Sequence, residues 1–196
     1  MPGRRATAGR AAQEEPATRK EQRQEDRQEF GRGGDAQTYK MRDKIASIGD
    51  DFWIENQDGR TVFKIDGKML RARDILRFED ANGHTLVDMA SKLVQVRDTV
   101  KLERVGGKGA VIKKDVINLI ADSMVMKVDG GAVYQIKGNL LDHEYEFYEG
   151  RDKVAEVSKK WFRLTDTYGI QVAPGQDDVL LLAATVAIDQ LSHDVA

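Results

Sequence analysis

Cysteine is absent from the 196 residues. That excludes a disulfide framework, thiolate metal ligands, a cysteine nucleophile, and palmitoylation or prenylation. A charge excess of either sign is missing too. The 31 Lys and Arg face 33 Asp and Glu, and the pI near 6.0 argues against a dedicated nucleic-acid binder. No apolar segment follows the opening MPGRRATAGR, so a secretory signal is not expected and the cytoplasm is the expected location. Pro2 stands where myristoylation needs glycine. Nor is there a long hydrophobic run. The most apolar stretch lies between Asp178 and Asp189, where Thr185 is the one polar residue among ten. At 1.5 Å rise this stretch reaches about 15 Å, against roughly 30 Å of bilayer hydrocarbon. It is too short to span a membrane.

An apolar run of that length is instead a core element. Leu180, Leu181, Leu182, Ala184, Val186, Ile188 and Leu191 belong to a helix expected over about 177–191, apolar on all faces and so buried on all sides. Asp177 or Asp178 is positioned to cap its first turn and suits the positive end of its dipole.

The rest of the chain has two regions. Residues 1–37 carry Arg, Glu and Gln with almost nothing to bury, and they read as a disordered mixed-charge tail. Residues 38–196 read as one folded domain. Alternation marks its strands: TVFKID (61–66), TVKLER (99–104), MVMKVD (124–129) and EYEFYEG (144–150) each place apolar side chains on one face and charged ones on the other. Asp58-Gly59, Asp66-Gly67, Asn82-Gly83, Gly106-Gly107, Asp129-Gly130, Glu149-Gly150 and Pro174-Gly175 supply turns between them. The pattern gives about twelve strands, near 39–47, 52–56, 61–66, 74–79, 85–91, 99–104, 109–114, 122–128, 132–137, 144–149, 154–160 and 168–173. The fold class is therefore mainly β. Consecutive hairpins make an antiparallel sheet that removes its edges by closing into a barrel. A barrel of that size is too wide for strand side chains alone to fill, and the apolar helix is the expected plug. VFKIDGK (62–68) echoes VYQIKGN (133–139), and LVDMASK (86–92) echoes VAEVSKK (154–160). These offsets point to two six-stranded halves.

Residues 39–86, which open YKMRDKIASIGDDFWIENQDGRTVFKIDGK, resemble the opening of the LOR family. NLLDHEYEFYEG (139–150) and VAEVSKKWFRLTDTYGIQVAPGQDDVLLLAATVAIDQL (154–191) resemble its closing half. The resemblance covers about residues 38–192. It places the chain with tubby C-terminal domains and phospholipid scramblases, and it implies a tubby-like twelve-stranded barrel around a C-terminal helix. The tubby branch implies phosphoinositide binding through basic residues, and the scramblase branch implies calcium-dependent lipid movement. No phosphoinositide motif carries over residue by residue.

Lipid-phosphate binding has candidates in Arg71, Arg73 and Arg77, and in Lys108, Lys113 and Lys114 of GGKGAVIKK, because cationic side chains pair with phosphate. A calcium loop centred on Gly169 fails: of Leu164, Asp166, Tyr168 and Gly175, one alone is a carboxylate. GGKGA lacks the Ser or Thr of a P-loop. The three histidines, His84, His143 and His193, have no metal-ligand spacing. His143 reads as a loop or strand-edge residue. No cofactor, metal site, catalytic residue or nucleic-acid partner is expected. The expectation is a non-enzymatic intracellular protein that contacts anionic phospholipid or phosphoinositide headgroups at a membrane surface. The alternatives are a protein–protein adaptor and an enzyme working in the barrel mouth. A clustered basic patch favours the first, an exposed apolar patch the second, and a deep polar pocket the third.

Overall fold

A computed structural model describes residues 35–42, 51–67, 75–91, 99–114, 123–161 and 167–193. Among them are twelve strands: β1 (Gln37–Arg42), β2 (Phe52–Asn56), β3 (Thr61–Asp66), β4 (Ile75–Asp80), β5 (Thr85–Ser91), β6 (Thr99–Arg104), β7 (Ala110–Lys114), β8 (Ser123–Val128), β9 (Val133–Asn139), β10 (Glu144–Glu149), β11 (Asp152–Ser158) and β12 (Thr167–Val172). One helix follows, α1 (Asp178–His193). The tail expected over 1–37 lies almost wholly outside the described residues.

Each strand pairs antiparallel with its sequence neighbours, and β1 closes the ring against β12. Closure leaves no unpaired edge. Alternation sets which face is which. In β6, Val100 and Leu102 are buried while Lys101 and Glu103 are exposed. Ile54, Ile65, Phe78, Val87, Ile112, Met126, Ile136, Phe147 and Ile170 project into the same core.

The helix runs through that core. From Leu180 to Asp189 every residue is at most 3% exposed, on all faces of the helix. Its flanking residues and both its ends touch strands from around the ring. Arg104 of β6 and Tyr39 of β1 reach Asp177 and Asp178 at its start, and His143 beside β10 reaches Asp189 near its end. Asp177 is the cap, accepting a hydrogen bond from Leu180 N–H at 3.1 Å. No helix among the described residues is long and apolar enough to cross a membrane.

The echoing segments fall at matching places in the ladder. β3 and β9 lie six strands apart in the ring, as do β5 and β11. A β-bulge interrupts β4–β5 pairing between Phe78 and Glu79, and another interrupts β10–β11 between Phe147 and Tyr148; a third, in β2–β3 between Ile54 and Glu55, has no counterpart in β8–β9. Several strands differ slightly from the sequence reading: β1 starts at Gln37, β9 extends to Asn139, β11 runs from Asp152 to Ser158, and β4, β7, β8 and β12 shift by one residue.

The β2–β3, β4–β5, β6–β7, β8–β9 and β10–β11 turns lie at the end where α1 begins. Gly59 and Gly83 sit there at φ of 73° and 85°, conformations a Cβ would disfavour. The β9–β10 turn, 140–143, lies at the opposite end.

Candidate functional site

The basic residues singled out in the sequence do not form one site. Arg71 and Arg73 lie outside the described residues. Arg77 is on the outer face of β4 and donates from Nε to Asp88 of β5 at 2.9 Å. That bond and the Asp88 charge hold its guanidinium above its ordinary pKa. Lys108 and the pair Lys113 and Lys114 are close in sequence but occupy opposite ends of β7, a strand roughly 15 Å long.

Strand register assembles a different set. One outward row runs Lys101, Val111, Lys127, Val133 across β6 to β9. The next runs Thr99, Lys113, Val125, Gln135, and Lys137 faces Ser123 in the row beyond. Lys113, Lys127 and Lys137 are exposed, and none is in an ion pair within the described residues. The sequences AVIKK, SMVMKV and VYQIKGN contain no carboxylate. Lys137 instead lies over the Tyr148 ring, 5.5 Å from its centroid. Lys127 and Lys137 were missed in sequence reading because they are 14 and 24 residues beyond Lys113.

Elsewhere on the wall the cations are neutralised locally. Lys40 pairs with Glu55, Lys64 with Asp51, and Lys101 with Glu103. Lys153 reaches Glu146 and Glu156, and Lys160 reaches Glu144. Burial pushes Glu144 up, but Lys160, Ser158 and the Lys159 N–H together bring its pKa below the ordinary value. The face of β7–β9 is thus a lysine-bearing strip whose own strands hold no carboxylate; at its border Lys137 stands opposite Glu146 of β10, which pairs with Lys153.

A second constellation is inside. His143 Nε2 hydrogen-bonds to Asp189 of α1, and its ring lies 4.3 Å from the Tyr168 ring. His143 and Asp189 are 2% and 1% exposed. Thr185 donates to Leu181 C=O one turn back, at 2.9 Å. Burial and the nearby Asp189 charge hold the Tyr145 phenol well up, with Thr185 opposing. An imidazole, a carboxylate and two phenols could serve acid–base chemistry, but this group is closed off by protein. Its evident work is to tie the β9–β10 turn to the helix. The sequence reading of His143 as a loop residue is right about its place; its burial and its partner were not legible.

The profile of the LURP-one-related family matches residues 37–189. The chain belongs to the LURP-one-related family. An uncharacterized protein of Bacillus subtilis, YxjI, is 28% identical over 154 residues, 79% of this chain and 93% of that protein. The X-ray structure of an Arabidopsis thaliana protein shares the fold with a TM-score of 0.56 at 17% identity, over 80% of this chain and 90% of that one.

The LURP-one-related barrel also carries a ring of protected tyrosines. Burial and then Asp178 raise the Tyr39 phenol, and burial, Glu149 and Asp177 raise Tyr134. With Tyr145, three phenols stay neutral in the fold at a pH where the unfolded chain ionises them. Stability should hold up to about pH 10 and fall above it, as the unfolded state alone loses protons. Urea midpoints from about pH 9 to about pH 12 would show this, and Tyr39→Phe should flatten the slope. A slope unchanged by that substitution would rule out Tyr39 as a contributor.

Proposed function

We propose that this LURP-one-related domain is a non-enzymatic binding module that contacts anionic phospholipid headgroups at a membrane surface. The observation that carries the reading is the outer face of β7–β9, with Lys113, Lys127 and Lys137 in no ion pair among the described residues, on three adjoining strands that hold no carboxylate. Lysines near an anionic leaflet contribute about 1 kcal/mol each, so three together give useful, salt-sensitive attraction without a shaped pocket. Val111, Val125 and Val133 between them offer apolar contact at low desolvation cost. The role would be peripheral and cytoplasmic. Against an enzyme working in the barrel mouth, the helix fills the lumen and the His143–Asp189 pair is sealed, while the other imidazole–carboxylate pair among the described residues, His84 with Asp80, lies on the exposed β4–β5 turn. A protein-adaptor role would draw on Trp53, 49% exposed on β2 beside Lys64.

Flotation with anionic and neutral vesicles tests the reading. The wild-type chain should float with anionic vesicles at low salt and separate from them as salt rises. Replacing Lys113, Lys127 and Lys137 together by Gln should weaken partitioning about 100-fold. Equal flotation of that variant would discard the face, and no flotation of wild type would discard the lipid role.

A further inference from the structure

The β9–β10 turn ends in an exposed leucine on an unusually constrained support. Leu140 is buried in the core, while its neighbour Leu141 is 58% exposed. Asn139 Nδ2 donates to Asp142 at 2.6 Å, and Asp142 N–H donates back to Asn139 Oδ1 at 3.1 Å. His143 N–H donates to Leu140 C=O at 3.3 Å. His143 holds φ of 52°, in the left-handed region that few non-glycine residues adopt, and its ring is pinned inside by Asp189. On the other side, Gly138 has φ of 137°, and a Cβ there would fall 2.3 Å from Glu144 O. A turn that merely joins two strands needs neither a pinned histidine nor a leucine at its apex. Polar residues are the ordinary choice for such a tip.

The charges around this apex fit one kind of partner. Lys113 and Lys114 end β7 at the same end of the barrel, and Lys137 is four residues before Leu141 on β9. Of the nearby carboxylates, Glu144 is paired with Lys160 and Glu146 with Lys153, while Asp142 keeps its charge and accepts a hydrogen bond from the Asn139 amide. An exposed apolar tip flanked by lysines that form no ion pair with any described residue matches an anionic bilayer, with phosphates at the rim and hydrocarbon beneath. We infer that Leu141 is a rigid wedge that enters the acyl layer when the lysine face docks on an anionic membrane. The inference rests on the headgroup reading of that face and adds its orientation: the β9–β10 end leads into the lipid. Rigidity matters because a preformed tip loses little conformational freedom on insertion.

The absence of cysteine makes the test direct. Leu141→Cys would carry one environment-sensitive dye, and Asp58→Cys, exposed in the β2–β3 turn at the other end, would be the control. With vesicles of mixed neutral and anionic phospholipid, the dye at 141 should shift to the blue and be quenched by brominated acyl chains, and the dye at 58 should do neither. Unlabelled Leu141→Ala should bind the vesicles about 10- to 50-fold more weakly with its salt dependence unchanged. If labelled protein floats but the dye at 141 stays in water, or if Leu141→Ala floats like wild type, the wedge is wrong and the headgroup reading stands. If the wild type does not float, both fall.

Discussion

Leu182→Asp is expected to leave no folded domain. Leu182 is wholly buried at the centre of α1, within a barrel whose inward residues surround it. The substitution removes about 2 kcal/mol or more of apolar burial and puts a carboxylate where nothing can solvate it, costing several kcal/mol more. Total stability of an ordinary domain is only about 5–15 kcal/mol. Leu182→Met, similar in volume, should cost under about 1.5 kcal/mol. Circular dichroism melts of the two variants separate the cases. If Leu182→Asp melts like wild type, the helix does not fill the barrel, and the closed lumen is lost with it. The same expectation holds for Leu181→Asp, because that residue is buried on a neighbouring face of the helix.

The second large effect is at His143 and Asp189. Removing either partner leaves the other buried without its counter-group, at a cost of about 3–5 kcal/mol. Replacing both by Ala should cost less than the two single changes summed, with a coupling of about 0.5–3 kcal/mol. Urea unfolding of the two single variants and the double variant measures that coupling. A cycle that closes at zero would mean the imidazole and the carboxylate act independently and the turn is held by its other contacts, Leu140 packing and the Asn139–Asp142 bonds among them. Asp189→Asn, which keeps the shape and some hydrogen bonding, should fall between wild type and Asp189→Ala. The same cycle bears on the wedge, since a loosened β9–β10 turn would present Leu141 less rigidly.

The strand pattern, the turns and the helix were legible because each is a local signal. Val100 and Leu102 alternate with Lys101 and Glu103, and that period of two already says which face is wet. Asn82-Gly83 marks its turn through backbone sterics that do not depend on the rest of the chain. The run from Leu180 to Ile188 has no polar face, so it could be satisfied only by burial on every side. Length then decided against a membrane span.

The lysine face and the sealed pair were not legible in that way. Lys113, Lys127 and Lys137 become neighbours only once β7, β8 and β9 adopt one register, and a shift of one residue would turn every side chain to the other face. The sequence cluster Arg71, Arg73 and Arg77 looked more like a site, yet Arg77 is consumed by Asp88 of the next strand, a pairing that alternation cannot disclose. His143 and Asp189 lie 46 residues apart, one on a turn and one on a helix that is apolar elsewhere, and no local period links them. The sequence alone therefore determined the elements, the closed barrel and its plug, because propensity, alternation and burial act along the chain. Only the tertiary structure decided which charges stand free and which are neutralised, because that depends on register between strands and on the helix threading the ring.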